Sequence, residues 1–220
     1  MFTESTDTIA VVDSGIGGIS VLRSLLKHGG NYIYFADNDF MPYGTKSAAE
    51  LSQRLDYIIS TLFDKYRVKK IFIACNTASS LLENKYPNVI TMRFNPKHTY
   101  LATRLTKKNL PNYSIIADDN LASLIERHIS DKKALDKIIS KHIKRYKLNE
   151  LESYVLGCTH YELVKDTFMK NCPNSRIYSN SDFVLQDLSI EQKSYTNVYF
   201  ITTRQSSGYN KTLEELIKGV

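Results

Sequence analysis

The chain has 220 residues, 42% of them hydrophobic and 24% charged, the balance of a water-soluble globular protein with room for one broad domain or two small ones. No apolar run approaches the roughly 18–20 residues of a membrane span, and the opening MFTESTDTIA lacks the basic start and apolar block of a signal peptide, so a cytoplasmic protein with no membrane partner is expected. Much of the net charge of +6 sits in Lys132–Lys147, patterned like a solvated helix face; nucleic acid is therefore not expected as a partner, and a basic surface that attracts small anions is the plainer reading.

Thr8–Val12 is a short β-rich run that ends at Asp13-Ser14-Gly15-Ile16-Gly17-Gly18, after which ISVLRSLLKH has a helical pattern. Tyr32–Ala36 is a second strand, and Ala48–Tyr66 is a helix by the spacing of Leu51, Leu55, Ile58, Ile59 and Leu62. Lys70–Ala74 is a third strand, and Cys75-Asn76-Thr77-Ala78-Ser79 leads into another helix. This β-loop-α repetition predicts a parallel sheet covered by helices on both faces. Ligands of such sheets bind where loops leave the carboxyl ends of strands, and Asp13 and Cys75 both stand there.

The segment Thr91–Asn112 has two prolines and no clean period. Beyond it, Ser114–Ala117 and Ser153–Leu156 read as strands, and Leu121–Arg127, Lys132–Tyr146 and Tyr161–Lys170 as helices. Val198–Thr202 is a late strand, followed by a helix from Thr212.

Three cysteines, an odd number set far apart, do not form a secreted disulfide framework and are read as free thiols. Two of them share a context. Ile73-Ala74-Cys75-Asn76-Thr77 and Leu156-Gly157-Cys158-Thr159-His160 each run from apolar strand through a small residue to cysteine, polar residues and a helix, 83 positions apart. An internal duplication with one cysteine in each half produces that pattern. Two thiols facing one cleft suit racemisation, because removing an α-proton from one face and returning it to the other needs an acid/base group on each side of the carbon. Helix N-termini and cationic neighbours make such thiols easier to ionise, and Asn76, Thr77 and Thr159 supply donors for an anionic substrate. Taken singly, each cysteine is as well explained as a small buried hydrophobe, Asp13 as a helix cap and His160 as a packed core residue. Cys172, in KNCPNS, has no such context and is read as structural.

DSGIGG (Asp13–Gly18), PYG (Pro42, Tyr43, Gly44), ACNTAS (Ala74–Ser79) and GCTHY (Gly157–Tyr161) resemble, in order and spacing, the glutamate racemases of the aspartate/glutamate racemase superfamily. The resemblance is close over residues 8–92 and about 150–190. It implies two pseudo-symmetric α/β domains, residues 1–93 with 184–220 and residues 94–183, with the active site in the cleft between them and no cofactor or metal. It implies that Cys75 and Cys158 exchange the α-proton from opposite faces, assisted by Asp13 near the substrate ammonium and by His160. Ser14, Pro42, Tyr43, Gly44, Asn76, Thr77 and Thr159 would line the substrate site and hold its carboxylates, with Asp13 and His160 beside them. The family also implies glutamate as substrate, D-glutamate for peptidoglycan and cell shape as the role, and, as many members form, a homodimer.

The chain departs from that pattern in its second half, which is shortened. Tyr100–Thr106 is the nearest match to the family's Gly-Thr-x-Ala-Thr loop, without the Gly-Thr start and with no strand legible before it. Glu126 falls at the family's assisting glutamate, and Glu162 stands where proline usually follows GCTHY. Aspartate racemase or a related isomerase is therefore an alternative expectation, as is a catalytically weak paralogue that binds an acidic metabolite or a protein partner.

Overall fold

A computed structural model describes residues 7–82, 85–185 and 190–218; the first six residues of the N-terminal stretch lie outside them. The chain runs through β1 (Ile9–Asp13), α1 (Ile19–Leu26), β2 (Gly30–Ala36), α2 (Ala48–Asp64), β3 (Lys70–Ile73), α3 (Asn76–Leu82) and β4 (Val89–Thr91). It continues as β5 (Thr99–Ala102), α4 (Arg104–Asn109), β6 (Ser114–Ala117), α5 (Leu121–His128), α6 (Lys132–Tyr146), β7 (Ser153–Leu156), α7 (Thr159–Glu162), α8 (Lys165–Asn171), β8 (Arg176–Ser179) and α9 (Asn180–Leu185). It then returns to the first half as β9 (Thr196–Thr202) and ends in α10 (Ser207–Lys218).

Two separate parallel sheets result, ordered β4-β3-β1-β2-β9 and β6-β5-β7-β8. Read from the other edge, the second is β8-β7-β5-β6, so β1 to β4 and β5 to β8 occupy the same order, and β9 is an addition to the first. Equivalent positions follow from this. The loop after β1 corresponds to the loop after β5, and the Cys75 loop after β3 corresponds to the Cys158 loop after β7.

Both faces of each sheet are buried, as parallel sheets require. In the first, Ala10, Val12, Ile33, Ile71 and Ile73 face Leu51, Leu55, Ile58 and Leu62 of α2, whose start is fixed by a reciprocal Ser47–Glu50 capping box. The alternate residues Val11, Tyr34 and Phe72 face Ile19, Leu22 and Leu25 of α1. In the second, Leu101, Tyr154 and Leu156 pack on Leu121, Ile125, Ile139 and Phe168 from α5, α6 and α8, while Tyr100, Ala102 and Val155 pack with Phe94 and Tyr113.

Three sequence expectations change. Tyr100-Leu101-Ala102 is itself a strand, β5, central in its sheet and fully buried, where the sequence reading found none. Four residues are too few to display a period, and Pro96 and Pro111 bracket the strand and the short helix after it. The helix expected over Tyr161–Lys170 is two helices, broken at Leu163–Val164. Thr159, His160, Tyr161 and Glu162 are all buried, and four consecutive residues cannot share one face of a continuing surface helix. The last helix starts at Ser207, five residues before the expected Thr212.

Candidate active site

The carboxyl ends of the two sheets meet, and the residues singled out by sequence gather there. Asp13, the last residue of β1, is fully buried, and its carboxylate accepts hydrogen bonds from the Gly15 amide (3.1 Å) and from the Thr159 hydroxyl across the interface (3.1 Å). Burial pushes its pKa up to about 6, against the lowering effect of the His160 charge and of these donors. Cys75, one residue beyond Ala74, is buried and stands 4.0 Å from the Ser14 hydroxyl. Burial, followed by the negative charge of Asp13, raises its thiol well above the ordinary range, and charge on Cys158 would raise it further. In the resting site Cys75 is therefore a thiol.

Cys158 caps the start of α7 from an extended backbone, and its neighbour His160 is buried between it and Glu126. Burial works against a charged imidazole, but hydrogen bonds to Cys158 and to the Glu126 carboxylate outweigh it and hold the His160 pKa above its ordinary value. The two cysteines thus face unlike electrostatics, a carboxylate beside Cys75 and an imidazolium beside Cys158. Glu126 lies on α5, whose first amides are received by Asp118: the Asn120 and Leu121 N–H groups donate to its Oδ1 at 2.8 and 2.9 Å. Glu126 also accepts from the Ile16 amide at 3.5 Å, so the second half touches the Gly-rich turn of the first. That turn has no room for side chains. A Cβ on Gly17 would stand 2.7 Å from the His160 amide nitrogen, and one on Gly15 would stand 2.5 Å from Glu126 Oε2.

Asn76 and Thr77 open α3 and are buried. The Thr77 hydroxyl lies 3.0 Å from that of Thr103, which caps α4, and Asn76 accepts from the side chain of Asn180 at the start of α9. Pro42, Tyr43 and Gly44 form the entry to a short 3-10 turn at Tyr43–Thr45. The Tyr43 hydroxyl donates to Asp37 (2.8 Å), itself clamped by Arg54 at 2.6 and 2.9 Å, so the proton of that hydroxyl is engaged. Cys172 lies elsewhere, packed in the second core with the Tyr154 hydroxyl 3.6 Å from its sulfur.

No protein-family model matches the chain. It is 32% identical over 192 residues to a glutamate racemase of Clostridium botulinum, covering 74% of both chains, and 30% identical over 207 residues to one of Carboxydothermus hydrogenoformans, covering 82% of this chain and 78% of that one. The chain belongs to the glutamate racemase family. Among solved structures it superposes on a Bacillus anthracis glutamate racemase with a TM-score of 0.79 at 20% identity, covering 96% of this chain and 94% of the other. A Francisella tularensis glutamate racemase in complex with D-glutamate gives 0.73 at 21% identity, covering 97% and 94%. An Escherichia coli glutamate racemase in complex with L-glutamate and the activator UDP-MurNAc-Ala gives 0.73 at 22%, covering 96% and 95%.

As a glutamate racemase family member the chain is an amino-acid racemase, and its fold is the two-sheet α/β fold of those structures. Two residues at the site escaped sequence reasoning. Thr103 directly follows β5 and caps α4, and the faint signal was Ala102-Thr103 with Thr106 one turn later. Asn180 follows β8, a strand with no sequence signal of its own. Among the described residues no helix is long and apolar enough to cross a membrane, and no cluster of three His, Cys, Asp or Glu side chains is arranged to hold a metal ion. A cavity of about 170 Å³ opens at the far end of the first sheet, beside Asp7, Ile9, Lys69 and Lys193, and is lined by none of the candidate site residues.

Proposed function

We propose that this chain interconverts L- and D-glutamate by a two-cysteine acid/base mechanism and so supplies D-glutamate for peptidoglycan. The observation that carries the reading is the Asp13–Thr159 hydrogen bond, which joins the loop beside Cys75 to the residue after Cys158. A bond across the two halves at that point supports reading the two thiol-bearing strand ends as opposite sides of one site.

In the reaction, one sulfur in its thiolate form takes the α-proton, and the C–H electron pair passes into the α-carboxylate as a carbanion-like intermediate. The opposing thiol then gives its proton to the other face of the carbon. The product has inverted configuration, and the two cysteines have exchanged protonation states. Asp13 serves the Cys75 side and the substrate ammonium. His160, oriented by Glu126, serves the Cys158 side, where a cation offsets thiolate charge. Hydroxyls of Ser14, Thr77 and Thr159, the amide of Asn76 and the backbone at Pro42–Gly44 hold the two carboxylates. The named relatives and the D- and L-glutamate bound in structural neighbours support glutamate as the substrate.

Proton exchange tests this. The protein is incubated in deuterated water with L-glutamate and, separately, L-aspartate, and the α-proton resonance is followed. Loss of the signal with glutamate, accompanied by D-glutamate, is expected. Exchange with aspartate alone would replace the substrate, and folded protein that exchanges neither would overturn the racemase reading.

A further inference from the structure

Asn180 and Asn76 form a buried pair at the meeting of the two sheets, with relative exposures of 0% and 1%. β7 and β8 pair with Leu156 opposite Ser179, which sets Asn180 beside Gly157 and next to Cys158. Asn76 directly follows Cys75. The side-chain hydrogen bond from Asn180 Nδ2 to Asn76 Oδ1 therefore bridges the immediate neighbourhoods of both thiols. Two amides could close a reciprocal pair, each donating to the other. This pair makes only one of the two bonds, and the Nδ2 of Asn76 and the Oδ1 of Asn180 are both buried without a partner. Leaving one such atom unsatisfied costs about 1–3 kcal/mol, and here a donor and an acceptor are left together.

An α-amino acid presents the complement, a carboxylate that accepts and an ammonium that donates. The unpaired atoms decide which group meets which amide: the Asn180 oxygen can only accept and suits the ammonium, and the Asn76 nitrogen can only donate and suits a carboxylate. The residue after Asn180, Ser181, is held through its amide (3.1 Å) and hydroxyl (2.5 Å) by the buried carboxyl group of Glu162, with Asp182 next in the chain. Those two bonds fix the backbone that carries Asn180. We propose that Asn180 is a substrate-binding residue whose side-chain oxygen accepts a hydrogen bond from the α-ammonium, while Asn76 Nδ2 donates to a substrate carboxylate. The inference rests on the racemase reading above and adds a recognition element from the strand after Cys158.

The test separates the ammonium from the carboxylates. Glutarate has both carboxylates of glutamate and no amino group, so it serves as the probe, as a competitive inhibitor and by calorimetric titration. In Asn180→Leu, of similar volume, the glutamate KM should rise about 10- to 100-fold, the loss of one hydrogen bond to a charged group, with a smaller change in kcat. Glutarate inhibition should stay within about twofold of wild type, since no contact to it has been removed. Asn180→Ser, which keeps a polar group and tolerates water, replaces the Leu variant if thermal melting shows that variant unfolded. An unchanged glutamate KM, or equal weakening of glutamate and glutarate, would overturn the assignment. Wild-type protein that fails to exchange the α-proton of glutamate would instead overturn the underlying reading, so the two failures are told apart.

Discussion

Thr159 donates its hydroxyl to the fully buried carboxylate of Asp13 at 3.1 Å, joining residues 146 positions apart and tying the Gly-rich turn of one sheet to the helix start of the other. The donor also lowers the Asp13 pKa, which burial has pushed up to about 6. Thr159→Val keeps the shape and removes the bond. Asp13 should then hold its proton to higher pH, and the acid limb of the kcat/KM profile should move upward. The loss of a bond to a charged group should also lower stability by about 1.5–3 kcal/mol. A profile with an unmoved acid limb would show that Asp13 does not govern that limb.

The three cysteines should separate sharply on substitution. In Cys75→Ser and Cys158→Ser a far weaker acid/base replaces a thiol that gains and loses a proton in every turnover of the proposed mechanism, so racemisation should fall about 10²–10⁴-fold or more in both directions. Cys172→Ser changes a sulfur packed in the second core against the Tyr154 hydroxyl, so it should lower the melting temperature and leave kcat within about twofold, as substitutions remote from the reacting atoms do. Polarimetry or a coupled assay from each enantiomer, beside a thermal melt, reads both effects.

The contrast between Cys75 and Cys172 also shows what the sequence made legible. Cys75 lies at the end of a strand with clear β character, and the Cys158 context repeats it, so a pattern existed to be read. The same holds for α2, whose apolar spacing and Ser47–Glu50 box mark both its face and its start. Thr103 and Asn180 follow β5 and β8, strands of four residues each, too short to show a period of their own and fixed by pairing with β6 and β7. Their place at the site is a product of sheet order, which no local window contains. Glu162 is a related case. Its deviation from the family's proline was visible, but its partners Ser20 and Ser181 lie 142 and 19 residues away.

Gly17 offers a steric test of the interface. A methyl group there would meet the amide nitrogen and the ring of His160 at 2.7 and 2.8 Å, which forces the two halves apart. Gly17→Ala should cost about 1–3 kcal/mol as overpacking does. Because a displacement of about 1 Å at the acid/base groups costs on the order of 100-fold in rate, kcat should fall by about that factor even in folded protein. Normal turnover with unchanged melting would mean that the halves are not in contact at this turn.

Glu162 makes stability depend on pH in an unusual direction. Its buried carboxyl group accepts from the Ser181 amide and hydroxyl and from Ser20 on α1 at 3.4 Å, but burial dominates and, with the nearby Asp182 charge, raises its pKa from 4.5 to about 7. In the unfolded chain the proton leaves near pH 4.5, whereas the native protein keeps it until about pH 7. Between those values the native state binds more protons, so stability is fully present below pH 4.5 and declines as pH rises through 7. A shift of that size corresponds to about 3 kcal/mol, and Asp13, also raised by burial, acts in the same direction. Glu162→Gln retains an oxygen for the Ser181 amide and cannot ionise. Relative to wild type, the variant should gain little at pH 5 and about 2–3 kcal/mol at pH 8, measured as unfolding free energy in urea. The comparison is made at both pH values because a loss of hydrogen bonding would shift the variant equally at each, whereas removal of a titrating group changes the difference between them. Equal shifts at pH 5 and pH 8 would show that Glu162 is already ionised in the folded protein across that range.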